Sequence, residues 1–409
     1  MTNVSAHTNP HKSKLKFGII GCGGRGILCF GELLNKRDDV EIPAICDTNS
    51  ERMKAIKPLL KGEQKFYTDA GQMVRTEKLD AVVVTTPDYQ HERNVIDALS
   101  AGANVLVDKP LATTVSACKN IIQCAEKNKK IVYMGFNLRH TRTLIRLKEI
   151  ITQGVLGRVY LIENREFYDG GRTYMARWNR LYKYSGGLWI HKGSHDFDVM
   201  QWLFGFPKPV KVSAFAGINV LTPDNIPFKT QPGKPVGPNC TDCPYNEICP
   251  DVCKMDGEAW RGKSMQVDNY VKDLCIYTSD KDTHDNGIAM VEYDNGCRGS
   301  HLESFIGSAN DRLYTVVGDR GIAEVSLHNR TILIRPRWSQ ETVLHTIPED
   351  TGGHGGSDPH LLDSFIKVLR GEMENTSTTD QGMWSTAVGQ AAEISRRENR
   401  TVQISELMK

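Results

Sequence analysis

Residues 15–26 read LKFGIIGCGGRG, an apolar run followed by a turn with the spacing G-x-G-x-x-G. The apolar run predicts a buried strand, and the pattern after the turn predicts a helix. Glycines in this turn let backbone N–H groups approach a pyrophosphate at the helix N-terminus. The segment therefore predicts the start of a dinucleotide-binding Rossmann fold. The candidate cofactor residues of the turn are Gly21, Gly23, Gly24, Arg25 and Gly26.

Asp47 ends the second predicted strand, 21 residues after Gly26. A carboxylate at this position can accept hydrogen bonds from both hydroxyls of the adenosine ribose, and it repels a 2′-phosphate. We therefore expect NAD rather than NADP as the cofactor. A glycine turn without a ligand is the alternative, and the combination of strand, helix and acid argues against it.

Short apolar runs alternate with amphipathic helical patterns over residues 15–135. The predicted strands are 15–20, 40–46, 79–85, 103–107 and 130–136. This alternation predicts a doubly wound parallel sheet with helices on both faces, which binds ligands at the carboxyl ends of its strands. Further candidate cofactor residues at or near those ends are Thr86, Pro87, His91, Asp108, Lys109 and Asn137.

The pattern changes after about residue 150, where predicted strands follow one another with tight turns between them. These strands are 159–168, 210–220, 287–293, 298–305, 312–318, 321–327, 331–337 and 341–347, and helices are predicted at 359–371 and 380–398. The pattern indicates an α/β domain with an antiparallel or mixed sheet. We predict a disordered tail at 1–14, an NAD-binding domain at 15–137, and a substrate and oligomerisation domain at 138–409.

Composition narrows the class of protein. The 409 residues suit two domains, and 39% hydrophobic with 24% charged residues is typical of a globular protein in water. A formal net charge of +2 suggests no nucleic-acid or membrane-surface partner. The first residues lack a signal-peptide pattern and no apolar run is long enough to span a bilayer, so we expect a cytoplasmic protein.

A Pro-, Gly- and Cys-rich excursion at 222–267 has little periodicity and is predicted to be an insertion. It contains Cys240, Cys243, Cys249 and Cys253 in the pattern C-x2-C-x5-C-x3-C. Four thiolates can hold structural zinc, and iron–sulfur ligation, reduced thiols or two disulfides are alternatives.

Three motifs together resemble the Gfo/Idh/MocA oxidoreductase family. They are IIGCGGRG at 19–26, TTPDYQH at 85–91 followed by ALSAGANVLVDKPLA at 98–112, and SGGLWIHKGSHDFDVMQWL at 185–203. The resemblance implies a Rossmann domain, then an α/β domain whose open, largely antiparallel sheet often mediates oligomerisation, so a homo-oligomer (dimer or tetramer) is expected. It also implies hydride transfer between a sugar-like carbinol and nicotinamide.

The resemblance assigns a catalytic role to Lys109, which occupies the lysine of the family's E-K-P segment, with Asp108 in place of the usual Glu. His195 matches the family histidine, whereas His191 stands where an aspartate is usual. On one helix His191 and His195 would share a face. A histidine suits the proton step and a nearby lysine can polarise the oxygen. Structural histidines, or half of a metal site, are the alternatives.

Arginines and aromatic residues are dense over 172–189, which favours an anionic or hydroxyl-rich small molecule as the substrate. The candidate substrate residues are Arg139, Tyr168, Arg177, Trp178 and Lys192. We expect an NAD-dependent dehydrogenase acting on a cyclic polyol, sugar or glycoside. The alternatives are a redox-neutral NAD-dependent glycosidase or lyase, which oxidises its substrate transiently before elimination, and a non-catalytic NAD sensor.

Overall fold

The computed structural model describes residues 13–253, 263–352 and 354–409. The predicted tail at 1–14 lies outside these residues except for its last two positions, and so does the part of the predicted insertion at 254–262. No helix among the described residues is long and apolar enough to cross a membrane.

The first sheet is parallel throughout and has the order β3-β2-β1-β4-β5-β6. Its strands are β1 (Leu15–Ile20), β2 (Val40–Cys46), β3 (Lys65–Tyr67), β4 (Ala81–Val84), β5 (Asn104–Asp108) and β6 (Val132–Gly135). This is the doubly wound order, so the Rossmann prediction is confirmed. Sequence reasoning missed β3 because three residues carry too little periodicity. The strand order reverses between β1 and β4, and ligands bind at such a point.

Helices cover both faces of this sheet. They are a π-helical segment at Gly24–Gly31 that continues into α1 (Glu32–Asn35), then α2 (Ser50–Ile56), α3 (Ala70–Glu77), α4 (His91–Ser100) and α5 (Val115–Asn128). Asn49, Asp69 and Thr114 cap α2, α3 and α5 by accepting hydrogen bonds from backbone N–H groups of the first turn. Such caps satisfy donors that the helix itself leaves without partners.

The second sheet has nine strands in the order β14-β13-β12-β11-β7-β10-β9-β8-β15. They are β7 (Val159–Phe167), β8 (Pro209–Gly217), β9 (Asn286–Tyr293), β10 (Arg298–Ser304), β11 (Asp311–Gly318), β12 (Gly321–Ser326), β13 (Thr331–Pro336), β14 (Val343–Thr346) and β15 (Val402–Gln403). Only β7 and β10 pair in parallel, so the mixed, largely antiparallel sheet is confirmed. Gly296, at φ +81°, closes the β9–β10 hairpin in the left-handed region that its turn requires.

Eight further α-helices lie in the second half, counted over the residues that the structure describes. They are α6 (Arg142–Thr152), α7 (Gly171–Tyr174), α8 (Tyr182–Ser185), α9 (Leu188–His191), α10 (Ser194–Phe204), α11 (Lys263–Asp268), α12 (Ser357–Leu369) and α13 (Thr379–Glu398). Helix α12 packs on the first sheet, where its Phe365 contacts Phe17 and Tyr133 at ring distances of 6.0 and 5.7 Å. The predicted boundary at residue 138 therefore lies between the two sheets. The hydrophobic core beside the first sheet nevertheless includes side chains of α12, from beyond that boundary.

Candidate active site

A cleft of about 760 Å³ lies at the carboxyl ends of the strands around the point where the first sheet reverses. One wall comes from the first half of the chain and the other from residues 177–191 and 268–280. The sequence-predicted residues that line it are Gly21, Gly23, Gly24, Arg25, Asp47, Thr86, Pro87, His91, Asp108, Lys109, Arg177, Trp178 and His191.

The glycine turn has the shape that a dinucleotide needs. Gly21 has φ +93°, and a Cβ on Gly26 would lie 2.1 Å from the carbonyl oxygen of Gly21. In contrast, a Cβ on Gly23 or Gly24 would meet no atom within 4 Å, so space is open in front of the first helical turn. Helical N–H groups in a first turn have no intrahelical acceptor, so this space suits a pyrophosphate. The residues present fit the phosphates of NAD.

Asp47 is held rigidly at the end of β2. Its Oδ2 accepts a hydrogen bond from the Cys22 N–H at 2.8 Å, and its Oδ1 accepts one from the Asn49 N–H at 2.9 Å. Arg52 Nη1 also lies 3.2 Å from Oδ1. The side chain is almost fully buried against the protein and still lines the cleft. It is therefore placed where the adenosine ribose of a dinucleotide would lie.

Arg25 links the glycine turn to the rest of the molecule. Its Nε donates to Asp108 Oδ2 at 2.9 Å, and its Nη1 donates to Asp358 Oδ2 of α12 at 2.8 Å. Burial acts to raise the pKa of the Asp358 carboxyl, but His354 and Arg25 outweigh it and hold that pKa far below its usual range. Asn137 donates to Asp358 Oδ1 at 3.0 Å, is buried, and does not line the cleft. The structure therefore gives Asn137 the role of supporting this ion-pair cluster.

Lys109 and His191 meet in the cleft. Lys109 Nζ donates to the backbone carbonyl of His191. His191 Nδ1 lies 2.7 Å from Asp88 Oδ2, and its Nε2 lies 2.8 Å from the amide nitrogen of Asn179. An amide donor at Nε2 and a carboxylate at Nδ1 together fit a neutral ring that carries its proton on Nδ1. Burial lowers the pKa of His191 against the opposing charge of Asp88, and burial also lowers the pKa of Lys109.

His195 does not share a helix with His191, which corrects the prediction from their spacing. Helix α9 ends at His191, the chain turns at Lys192 and Gly193, and α10 begins at Ser194. His195 is partly exposed and is not among the residues that line the cleft. Its Nδ1 is buried and has no hydrogen-bond partner among the described residues. Burial, reinforced by the charges of Lys109, Arg312 and Lys192, holds the pKa of His195 well below its usual value.

Two of the predicted substrate residues, Tyr168 and Lys192, lie together, and the charge of Lys192 acts on His195. Lys192 Nζ is 3.0 Å from Glu166 Oε1 and 4.4 Å from the centroid of the Tyr168 ring. Arg312 also pairs with Glu166, at 2.7 Å, so the carboxylate is shared by two cations. The other pair, Arg177 and Trp178, lines the dinucleotide cleft itself, and the Trp178 ring lies 5.2 Å from the His191 ring.

Arg139, predicted to contact substrate, lies elsewhere. It is buried, and its Nε donates to Asp198 Oδ2 at 2.7 Å while its Nη1 donates to Gln381 Oε1 at 2.9 Å. Its guanidinium also lies over the rings of Phe136 and Phe206. Asp198 and Phe136 are buried, Gln381 and Phe206 are half-buried, and Arg139 does not line the cleft, so the structure corrects the assignment to a buried structural ion pair.

The cysteine quartet does not form a metal site in this structure. Among the described residues, only Glu166, His301 and Glu303 have three potential ligand atoms within 4.8 Å of one another. The cysteines are free thiols, and burial raises the pKa of Cys240 to about 11. Zinc bound by four thiolates requires their sulfur atoms to be mutual neighbours, so we do not retain the zinc assignment.

Several residues of the site were missed by sequence reasoning. Asp88 stands inside the quoted TTPDYQH motif, where its position after a parallel strand was the available signal. The remaining ones, which line the cleft from α2, from α11, from a short 3-10 helix at Trp178–Arg180 and from the loop after α11, are Arg52, Asn179, Asp268, Tyr270 and Lys272. No local pattern marks these five, because long-range chain folding brings them to the cleft.

Comparisons with known proteins agree with this geometry. The model of the NAD-binding Rossmann domain of the GFO_IDH_MocA oxidoreductase family matches residues 15–136, and that of its C-terminal α/β domain matches residues 148–404. The oxidoreductase YteT of Bacillus subtilis (strain 168) is 27% identical over 95% of this chain and 98% of its own length. An inositol 2-dehydrogenase/D-chiro-inositol 3-dehydrogenase of Halalkalibacterium halodurans is 32% identical over 48% of this chain and 57% of its own length.

Among solved structures, the WlbA dehydrogenase of Bordetella pertussis, in complex with NADH and UDP-GlcNAcA, has the same fold. The TM-score is 0.68 at 21% identity, and the alignment covers 95% of this chain and 98% of that one. The two domain models together cover most of the sequence, in the order in which the two sheets occur. The chain therefore belongs to the Gfo/Idh/MocA family of oxidoreductases and carries that family's NAD-binding Rossmann domain.

Proposed function

We propose that this protein is an NAD-dependent dehydrogenase that oxidises a ring hydroxyl of a cyclic polyol, sugar or glycoside. The observation that carries the proposal is the position of Lys109. Lys109 directly follows β5 at the carboxyl end of the sheet, where ligands bind. Its ammonium group donates to the carbonyl of His191 inside a cleft that the glycine-rich turn also lines. Relatives named inositol 2-dehydrogenase and D-glucoside 3-dehydrogenase support the substrate class.

NAD, when bound, supplies the hydride acceptor. The hydroxyl proton must leave as the carbinol is oxidised, and a neutral histidine can accept it. We assign this step to His195, which stands at the position of the family histidine and whose Nδ1 has no hydrogen-bond partner among the described residues. Lys109 stabilises the negative charge that develops on the substrate oxygen. Asp88 and His191 act as positioning residues, since Asp88 orients the His191 ring and the His191 carbonyl holds the lysine.

The substrate class also fits the side chains beyond Lys109. Lys192, seated over the Tyr168 ring, and Trp178, beside His191, offer a cation and aromatic faces. Aromatic faces pack against the C–H surfaces of sugar rings, and cations bind hydroxyl or carboxylate oxygens. These side chains favour hydroxyl-rich rings with or without an acidic group.

The experiment that tests the proposal is a substrate screen with two separate readouts. The purified protein is analysed for bound NAD(H) and then incubated with NAD and inositols, hexoses, uronates and aryl glycosides. Absorbance at 340 nm follows NADH, and chromatography follows product. We expect NADH to accumulate with at least one polyol or sugar. Turnover of none of these compounds, by protein shown to bind NAD, would refute the proposed activity.

A redox-neutral glycosidase or lyase is the second candidate function. One observation favours it. Residues 268–272 and Leu274, from the second half of the chain, line the cleft together with the Rossmann domain, so a bound dinucleotide would lie between the two halves. Enclosure suits a reaction that reoxidises its cofactor in place. In the same screen, product release without net NADH would identify this activity.

We also propose that the chain forms a homo-oligomer, a dimer or tetramer, through the open face of the second sheet. The exposed apolar side chains there include Phe215 at 71%, Ile288 at 47% and Met290 at 50% exposure. A contiguous apolar surface of this kind commonly marks an interface. Light scattering coupled to gel filtration would show a monomer if the assignment is wrong.

A further inference from the structure

We propose that Asp268, a residue of the second half of the chain, determines the choice of NAD over NADP by pairing with Arg52 beside the ribose-site acid Asp47. The inference rests on the proposed use of NAD and adds a specificity residue that the Rossmann motif does not contain. Asp268 ends α11 and lines the same cleft as Asp47.

The geometry links two carboxylates to one guanidinium. Arg52 Nη1 lies 3.2 Å from Asp47 Oδ1, and Arg52 Nη2 lies 2.5 Å from Asp268 Oδ2. The Arg52 side chain is only 11% exposed, and those of Asp47 and Asp268 are 8% and 27% exposed. The three groups therefore interact at short range in a partly desolvated place, where solvent screens their charges less than at an open surface.

Asn49 fixes the second carboxylate in this position. Its side-chain Nδ2 donates to Asp268 Oδ2 at 2.8 Å and to the Ser264 carbonyl at 2.7 Å. Its Oδ1 accepts from the Arg52 N–H at 3.0 Å as the cap of α2. Because the same side chain caps the helix that carries Arg52 and binds α11, the guanidinium and the Asp268 carboxylate are set relative to each other.

The charges of Asp47, Arg52 and Asp268 act on any phosphate group at the ribose 2′ position. An arginine close to the ribose-binding acid is the usual means by which a Rossmann domain accepts a 2′-phosphate. Among these three side chains, Asp47 and Asp268 carry two negative charges against the one positive charge of Arg52, whereas Lys272 and Arg177, which also line the cleft, act in the opposite direction. The charge of Asp268 therefore works against a 2′-phosphate at this place. Without the Asp268 charge, one negative charge is removed from the cleft and Arg52 Nη2 loses the acceptor that occupies it. A 2′-phosphate could then pair with Arg52.

The test is a calorimetric titration of the full-length protein with NAD⁺ and with NADP⁺, which requires no substrate. We expect Asp268→Asn to bind NADP⁺ at least about tenfold more tightly than the parent protein, and NAD⁺ within about threefold. A tenfold change corresponds to about 1.4 kcal/mol, within reach of one screened charge interaction at this distance. The matched control is Glu51→Gln, which removes an equal charge from the surface of α2, where Glu51 pairs with Lys54 and not with Arg52.

The double variant Asp268→Asn/Arg52→Gln shows whether Arg52 mediates the effect. We expect it to lose the gain in NADP⁺ affinity, and we expect Arg52→Gln alone to bind NADP⁺ no better than the parent. An Asp268→Asn protein that melts like the parent and binds NADP⁺ no more tightly overturns the proposal, as does a gain that persists without Arg52. If Asp268→Asn does not fold, Asp268→Ser gives the same comparison. Binding of NAD⁺ without oxidation of any polyol would contradict only the proposed function.

Discussion

Arg139 and Arg142 are three residues apart in the sequence, yet we expect Arg139 to contribute much more than Arg142 to the stability of the fold. Arg139 is buried and paired with Asp198, whereas the side chain of Arg142 is 47% exposed and pairs with Asp350 near the surface. Arg139→Ala leaves the Asp198 carboxylate buried without its cation, and breaking a buried pair in this way typically costs about 3–5 kcal/mol. At roughly 2–4 °C per kcal/mol for a large domain, the melting temperature should fall by about 10 °C.

Arg142→Ala is the matched control, because an exposed ion pair is worth about 0–1 kcal/mol and should shift melting by no more than roughly 3 °C. Circular dichroism melts of both variants, with KM measured on the best substrate of the screen, separate the two roles of Arg139. A structural arginine lowers the melting temperature and leaves KM near the parent value at 20 °C. The reasoning is refuted if Arg139→Ala melts like the parent protein and raises KM at least tenfold, as a substrate-binding arginine would.

Four other outcomes are expected. Lys109→Ala and His195→Ala should each lower kcat by about 10²–10⁴-fold while NAD still binds, and near-parent turnover in both would mean that the chemistry lies elsewhere. Gly26→Ala should lower the melting temperature, because the new Cβ would lie 2.1 Å from the Gly21 carbonyl oxygen. Gly23→Ala should melt like the parent, because its Cβ would meet no atom of the surrounding protein within 4 Å, but it should bind NAD more weakly. Burial acts to raise the pKa of Glu303, but hydrogen bonds from His284 and His301 lower it to about 2, against an ordinary value of 4.5. The ionised Glu303 therefore stabilises the folded state by about 3 kcal/mol above pH 4.5, and this stabilisation is lost as the pH falls toward 2. Acid denaturation curves of Glu303→Gln should lack this loss of stability between pH 4.5 and 2. Elemental analysis should find less than stoichiometric zinc, and Cys243→Ser should melt like the parent; one zinc per chain would restore the thiolate site.

The proposed catalytic pair, Lys109 and His195, shows how far local pattern reaches. The sequence predicted Lys109 directly after a parallel strand, and the structure has it there, but His195, predicted in the helix that follows two glycines, lies in the next helix, α10. It could not show that α9 and α10 are separate helices, because residues four apart imply a shared face only when the helix is continuous. At the break, a Cβ on Gly193 would lie 2.8 Å from the Trp189 carbonyl oxygen and 3.2 Å from the Phe197 ring, so this position depends on neighbours that the local pattern does not show.

Local sequence by itself determined the parallel sheet, the glycine turn and Asp47, because strand periodicity, turn chemistry and a fixed motif spacing act over a few residues. Only the tertiary structure decided that Arg139 is interior, that α12 completes the first core, and that Asp268 reaches Arg52 across 216 positions of the chain. Contacts of this kind depend on which surfaces meet when the two sheets pack together. No window of sequence records them, because the free energy of burying a charge or a ring depends on neighbours that are distant along the chain.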